Sequence, residues 1–328
     1  MVPFNHQFQP TGRDDMALQT HMSKQVYVLR LDRSDGTSEF LTHLPFDPSR
    51  REALRDAMAC FEDRFKSVGT VTVDLARSLA DAGVGRPEAV PSWSEYQAQQ
   101  NAALLQRLER AGVSNDVRGL IAESLNVTRN RASLLDEITA SSFDNESKEA
   151  IRTALAVASE AHRGATAARP QDLEGLHHIP YVNHPISMAR IGIRLGLSAT
   201  AIQALLLHDV VEDTPTTSAE LRKSFAPEVM AMVDAMTKQE GETRKQFLDR
   251  VGSFEGETKI CKALDRFDNL IRGFAIPDEK YHARILAENA AIYLPAFASN
   301  PTLKPIAPMF YTLDRELALL AGLTDKSN

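Results

Sequence analysis

The sequence predicts a mainly α protein: an all-helical second half, preceded by an N-terminal region of helices with a small β-hairpin. Three observations predict it. Aromatic residues make up only 6% of the 328 residues while Ala and Leu are abundant, which favours helix over sheet. From residue 47 onward, Ala- and Leu-rich stretches are punctuated by Pro, Gly and Ser at spacings suited to helix ends. One early run, Gln25 to Leu31, is β-rich and is followed by a turn and a second short run.

In order along the chain, residues 1–24 are polar with scattered charge and are predicted to be a disordered tail. Residues 25–31 and Glu39 to Thr42 form the predicted hairpin around Asp32-Arg33-Ser34-Asp35-Gly36. Asp47-Pro48 opens a helix to about Val68, with Pro at its first position. Thr70 to Ala82, Ser92 to Ala111, Ser114 to Leu125 and Thr128 to Thr139 are predicted as further helices. The breaker cluster Ser141 to Asn145 sets the expected boundary between a region 25–143 and a domain 144–328.

The second half opens with a helix from Ser147 to Arg163. A loop from Gly164 to Asn183 follows, then helices over His184 to Leu195, 199–213, Thr217 to Phe225, Pro227 to Thr237, Glu242 to Val251, Glu257 to Phe274, Asp278 to Leu294, and a last one to about Leu323.

Composition narrows the function classes. A formal charge of −7 argues against a nucleic-acid-coating surface, while leaving room for a local basic pocket for a phosphorylated small molecule. Cys60 and Cys261 lack metal-ligand spacing and read as packing thiols in a reducing compartment. No run reaches transmembrane length and the N-terminus has no signal-peptide apolar region, so a cytoplasmic protein with no membrane partner is expected. Residues 1–140 gather no histidines and carboxylates at ligand spacing, and read as an interaction or regulatory region, open to a protein partner or self-association.

The chemistry concentrates in His208-Asp209-Val210-Val211-Glu212-Asp213-Thr214. If the helix runs through residue 213, Glu212 and Asp213 each lie one turn beyond His208 and Asp209. Ionisable groups packed beside an apolar segment are costly unless something positive binds there, and a divalent metal is the simplest compensator. His184 and Asp265 are the other candidate ligands. Two imidazoles with two carboxylates suit Mn²⁺, Fe²⁺ or Zn²⁺. Asn269, four residues after Asp265, shares its helix face, and Lys262 lies one turn before it.

The order Tyr181-Val182-Asn183-His184-Pro185, HDVVEDT at 208–214, Thr237-Lys238, Lys262-Ala263-Leu264-Asp265-Arg266, Asn269, Glu288 and Ile292-Tyr293-Leu294-Pro295 resembles the hydrolase domain of RelA/SpoT-type alarmone enzymes, a branch of the HD-domain metal phosphohydrolases. The resemblance covers roughly 150–300. It implies an all-helical HD fold, with Mn²⁺ held by His184, His208, Asp209 and Asp265. It also implies that Glu212 and Asp213 orient and deprotonate the attacking water, and that Asn269 contacts the ribose. The implied reaction removes the 3′-pyrophosphate from (p)ppGpp or a related purine nucleotide. The alternative is a silent nucleotide-sensing or partner-binding HD module, or an HD phosphohydrolase for another nucleotide.

The chain departs from this pattern at named positions. The Gln and base-facing Arg that normally follow Ala161-His162-x-Gly164 are replaced by a different stretch, in which Arg169 is the candidate substitute. Asp268 stands where His is usual, and Arg272, a further candidate substrate contact, where Thr is common. His162 and Tyr293 read as structural, and His177 and His178 as loop residues.

Overall fold

The computed structural model describes residues 26–35, 37–45, 51–65, 69–76, 79, 82–86, 90–163, 165 and 178–323. The expected tail 1–24 and the helix start at Asp47-Pro48 lie outside the described residues. The chain divides into two compact units, Met1–Gln97 and Ala98–Asn328.

In the first unit the expected hairpin is present as β1 (Val26–Arg33) and β2 (Ser38–Pro45), antiparallel, with an extra residue at Leu41 where the register shifts. Helix α1 (Arg51–Phe65) leads to β3 (Gly69–Ala76), which pairs antiparallel with the other edge of β1 to give the order β2-β1-β3. The helix predicted over Thr70 to Ala82 is therefore corrected to a strand over its first part, Thr70 to Ala76. Its Thr-Val-Thr-Val alternation is a period-two pattern, and β1 supplies the hydrogen-bonding partner. Leu29, Leu31, Val71, Cys60 and Phe61 close a core in which the Phe61 ring meets Tyr96 at 4.9 Å and Trp93 at 5.9 Å.

The second unit is helical. Helix α2 (Trp93–Arg110) carries the division point, and α3 (Asn115–Ser124), α4 (Val127–Ala140) and α5 (Asn145–Ala161) follow. The next elements are α6 (Asn183–Arg194), α7 (Ala199–Leu207), α8 (Val210–Asp213), α9 (Ser218–Leu221) and α10 (Pro227–Met236). Then come α11 (Arg244–Gly252), α12 (Gly256–Gly273), α13 (Glu279–Glu288), a π turn at Asn289–Tyr293, α14 (Leu294–Ser299) and α15 (Ala307–Leu320). Among the described residues, no helix is long and apolar enough to cross a membrane.

Helix α7 is buried all round from Ala201 to Leu207 and forms the centre of the core. Each fully buried Leu or Ile contributes about 1.5–3 kcal/mol of transfer free energy, so this helix anchors the elements around it. Its N-terminus is capped by Ser198, whose hydroxyl and backbone N–H both donate to Glu257 at the start of α12. Helix α6 approaches closely because residue 192 is glycine. A Cβ there would lie 2.8 Å from Ile202 Cδ1 and 3.0 Å from Leu205 Cδ1. Both cysteines are free and buried, as a packing role requires.

The two units do not separate near Ser141–Asn145, where the boundary was expected. Helices α3 and α4 pack with the helical unit through Val117, Ile121, Leu134 and Ile138. A buried polar network also joins them to α6. Asn183 Nδ2 donates to Ser124 O at 2.6 Å, and Asn130 Nδ2 donates to Asn183 Oδ1 at 3.1 Å. The Arg190 guanidinium donates to Asn130 Oδ1 and to Glu137. The breaker cluster is a helix–helix turn, with Asp144 capping α5.

A fragment beginning at Ala98 is expected to melt cooperatively, whereas one beginning at Asp144 strips the partners from Asn183 and Arg190. Each buried polar group left unsatisfied costs about 1–3 kcal/mol. Thermal denaturation followed by circular dichroism should show the shorter fragment melting far lower or not folding. Equal midpoints would count against the shared core.

Candidate metal centre

Three helices deliver the ionisable groups. His184 is the second residue of α6, Asp265 lies midway along α12, and His208-Asp209 forms the joint between α7 and α8. The continuous helix expected over 199–213 is broken at that joint. Asp209 has φ −93° and ψ −5°, outside regular helix geometry. The hydrogen bond from Asp213 N to Asp209 O, 2.8 Å, keeps Asp213 one turn beyond Asp209 all the same.

His184 and His208 are 3% and 2% exposed, and their Nε2 atoms face one point. His184 Nε2 is 3.3 Å from Asp265 Oδ1 and 3.6 Å from Asp209 Oδ2. His208 Nε2 is 3.0 Å from Asp209 Oδ2 and 3.9 Å from Asp265 Oδ1. Ligand atoms of His184, His208 and Asp265 all lie within 4.8 Å of one another. The other ring nitrogens are turned away. His208 Nδ1 contacts Leu205 O at 2.9 Å, and His184 Nδ1 contacts Asp268 Oδ2 at 2.6 Å. Those acceptors place the ring proton on Nδ1 and leave the Nε2 lone pairs directed inward, the arrangement of metal-ligating histidines. His208 Nε2 is buried without a hydrogen-bond partner, and its donor chemistry fits a cation. The donor set therefore suits a divalent ion.

The electrostatics describe the same demand. Burial pushes Asp265 up, but Lys262, at 2.6 Å from Oδ2, and the two imidazoles hold it well below the usual carboxylate range. Asp209 is likewise depressed, burial being outweighed by His208 and His184. Burial lowers His184, yet hydrogen bonding to Asp265 and Asp268 raises it to about 9, so without an ion Nε2 carries a proton toward Asp265, and a cation that binds there takes that proton's place. Burial is also overcome at Lys262, which Asp265 lifts above its ordinary range.

The remaining expected residues fall into distinct places. Glu212 and Asp213 are exposed beside the cluster. Glu212 Oε2 accepts from Lys238 N at 3.2 Å. Loss of hydration and the Asp209 charge raise Asp213 above the usual carboxylate pKa. Asn269 Nδ2 donates to Asp265 Oδ1 at 2.5 Å, and Lys262 is buried against Asp265 and the Phe247 ring. Arg272 lies over the Tyr181 ring at 5.4 Å. Arg169 and His177 lie outside the described residues. His162 is buried on the Tyr181 ring, and burial foremost pushes its pKa down to about 4. Tyr293 is core, with Arg266 over its ring at 4.6 Å.

Two contributors were not singled out from sequence. Asp268, 1% exposed, is the acceptor that orients His184; its i+3 spacing from Asp265 was the available signal. Glu288 accepts from Arg266 at 2.5 Å and from Arg244 at 2.6 Å, bracing α12 against α11 and α13.

Residues 154–257 match the HD domain family. The guanosine-3′,5′-bis(diphosphate) 3′-pyrophosphohydrolase of Vibrio cholerae is 32% identical over 160 residues, 45% of this chain and 21% of that protein. The enzyme of the same name called MESH1 from Danio rerio is 37% identical over 119 residues, 34% of this chain and 63% of that protein. The bifunctional (p)ppGpp synthase/hydrolase SpoT of Escherichia coli is 30% identical over 158 residues, 44% of this chain and 21% of that protein. A solved structure described as a metazoan ortholog of SpoT that hydrolyzes ppGpp aligns at 22% identity and TM-score 0.42, over 49% of this chain and 93% of that one. The chain spans about a fifth of the length of the two bacterial relatives and under two thirds of MESH1. These relatives are of the RelA/SpoT hydrolase type that the order of motifs suggested.

Lys262→Met is expected to leave the buried Asp265 carboxylate undercompensated and to destabilise chelator-treated protein by about 3–5 kcal/mol, the usual effect of removing one partner of a buried ion pair. Added divalent metal should recover part of that loss. Denaturant unfolding with and without metal checks both; an unchanged midpoint in chelator would contradict the charge argument.

Proposed function

We propose that the HD domain of this chain is a divalent-metal phosphohydrolase removing the 3′-pyrophosphate from (p)ppGpp or a related purine nucleotide, giving GDP, GTP or the equivalent, and pyrophosphate. Mn²⁺ is the expected ion, with Fe²⁺ or Zn²⁺ as alternatives. The observation that carries the reading is the convergence of His184 and His208 Nε2 with the Asp209 and Asp265 carboxylates, beside the exposed Glu212 and Asp213. The names of the relatives support the substrate class.

His184, His208, Asp209 and Asp265 would hold the ion, which when bound supplies Lewis-acid chemistry, neutralising phosphoryl charge and acidifying water. Hydrolysis adds one water across the bond between the 3′ oxygen and its pyrophosphate. The water oxygen joins phosphorus, one of its protons passes to a carboxylate, and the P–O bond breaks as the 3′ oxygen takes up a proton and departs as a hydroxyl, the carboxylate giving its proton back to solvent or to that oxygen. In this reading Glu212 and Asp213 orient that water and take its proton. The raised pKa of Asp213 brings it nearer the working range of a general base. Asn269 has its amide nitrogen engaged by Asp265, so its carbonyl oxygen is the atom available to a ribose hydroxyl. Lys262 acts through Asp265, and Arg272, over the Tyr181 ring, is a candidate contact to substrate. Arg169 remains the candidate contact to the base.

Purified protein with Mn²⁺ should hydrolyse ppGpp, pppGpp or ppApp in a panel with resolved products, and chelation should abolish turnover. Intact nucleotides throughout would identify a silent binding module instead. Glu212→Gln should keep metal content and nucleotide affinity while losing on the order of 10²–10⁴ in rate, the range for general acid–base catalysis. An equally fast variant would move the role to Asp213.

A further inference from the structure

Tyr181 precedes α6, three residues ahead of His184, and has no role in the proposed reaction. Its hydroxyl donates to Asp209 Oδ2 at 2.5 Å and also lies within hydrogen-bonding reach of Asp213, with Asp209 the short contact. That oxygen is the one lying 3.0 Å from His208 Nε2 and 3.6 Å from His184 Nε2. Asp209 sits at the joint between α7 and α8, where its backbone has left regular helix geometry, so a helical frame does not by itself fix the direction of its carboxylate. The tyrosine is fixed on several sides. Its ring packs on His162 at 4.7 Å and meets the edge of His184 at 5.9 Å, with the Arg272 guanidinium at 5.4 Å. Its backbone N–H donates to Ala165 O at 2.9 Å. His162 has both ring nitrogens buried without hydrogen-bond partners, which leaves packing on Tyr181 as its visible contribution.

We propose that Tyr181 is a positioning residue for the metal centre: its hydroxyl holds the Asp209 carboxylate in the orientation that brings Oδ2 to the two imidazoles. The inference rests on Asp209 being a ligand, as the proposed function has it. Without the hydroxyl, the carboxylate keeps its charge but must be ordered when the ion arrives. Loss of such a partner behind a ligand typically lowers metal affinity by about 10- to 100-fold.

Tyr181→Phe in the full chain isolates the hydroxyl, because the ring and its packing stay. The Mn²⁺ dissociation constant, measured by titration without nucleotide, should rise by about 10- to 100-fold. The metal-free protein should still melt cooperatively, its midpoint lowered by no more than the loss of one hydrogen bond. With nucleotide, the Mn²⁺ concentration needed for half-maximal activity should rise in parallel, and saturating Mn²⁺ should restore kcat with little change in KM. An unchanged dissociation constant overturns the proposal. So does a weaker one accompanied by loss of the cooperative metal-free melt, which would assign Tyr181 to packing alone, and so does a rate deficit that persists at saturating Mn²⁺, which would assign the hydroxyl to Asp213. Because binding is read without substrate, a wild type that binds Mn²⁺ but leaves every nucleotide intact overturns the substrate reading and not this one. A wild type that binds no divalent ion overturns both.

Discussion

The rest of the helical unit depends on one electrostatic problem: two carboxylates, Asp209 and Asp265, held close together against an apolar core. An isolated charge in such a place is expensive, and like charges in proximity compound the expense. The side chains that hydrogen-bond the pair are donors or cations. Lys262 and Asn269 serve Asp265 from one helical turn on either side, and Tyr181 serves Asp209 from another segment. The imidazoles of His184 and His208 lie between the acids. The protein's own groups partly neutralise the cluster, and the inward lone pairs on the two rings leave a position that a small, doubly charged ion completes.

That arrangement needs three helices in fixed register, and the means differ for each. Helix α7 is placed by burial, its apolar run being surrounded on all sides. Helix α12 is tied to the beginning of α7 through Glu257 and braced by the Arg244–Glu288–Arg266 cluster. Helix α6 is held by hydrogen bonds, through Asn183 and Arg190, to helices that the sequence seemed to assign elsewhere. A buried polar network with defined partners specifies one arrangement more sharply than apolar contact does, because each mispairing leaves a donor or acceptor stranded.

Much of this was legible in the sequence because the relevant signals are local. Helix limits followed Pro, Gly and capping residues, whereas the four expected ligands lie in three distant segments and were joined by the order of motifs they share with a known family, not by their spacing. What could not be read was set by contacts between segments. Thr70 to Ala76 alternates β-branched residues, yet it becomes a strand only because β1 offers an edge some forty residues earlier. The interruption at His208-Asp209 carries no Pro or Gly to announce it. Helices α3 and α4 look self-contained until Asn130 and Ser124 are seen to complete the hydrogen bonding of Asn183. Asp268 looked like a departure from a familiar string, and its role emerges only with the His184 ring beside it.

Gly192 lies two turns along α6 from His184, and opposite it stand Ile202 and Leu205, one of them within a turn of His208. The separation of the two imidazoles is thus inherited from a contact that contains no ionisable group at all. A methyl group at residue 192 would act as a wedge between the two rods, and a wedge placed away from their ends changes the opening at the tip. Natural variation could therefore retune which ion the centre prefers without touching a single ligand, by altering the volume of two apolar side chains and one missing Cβ.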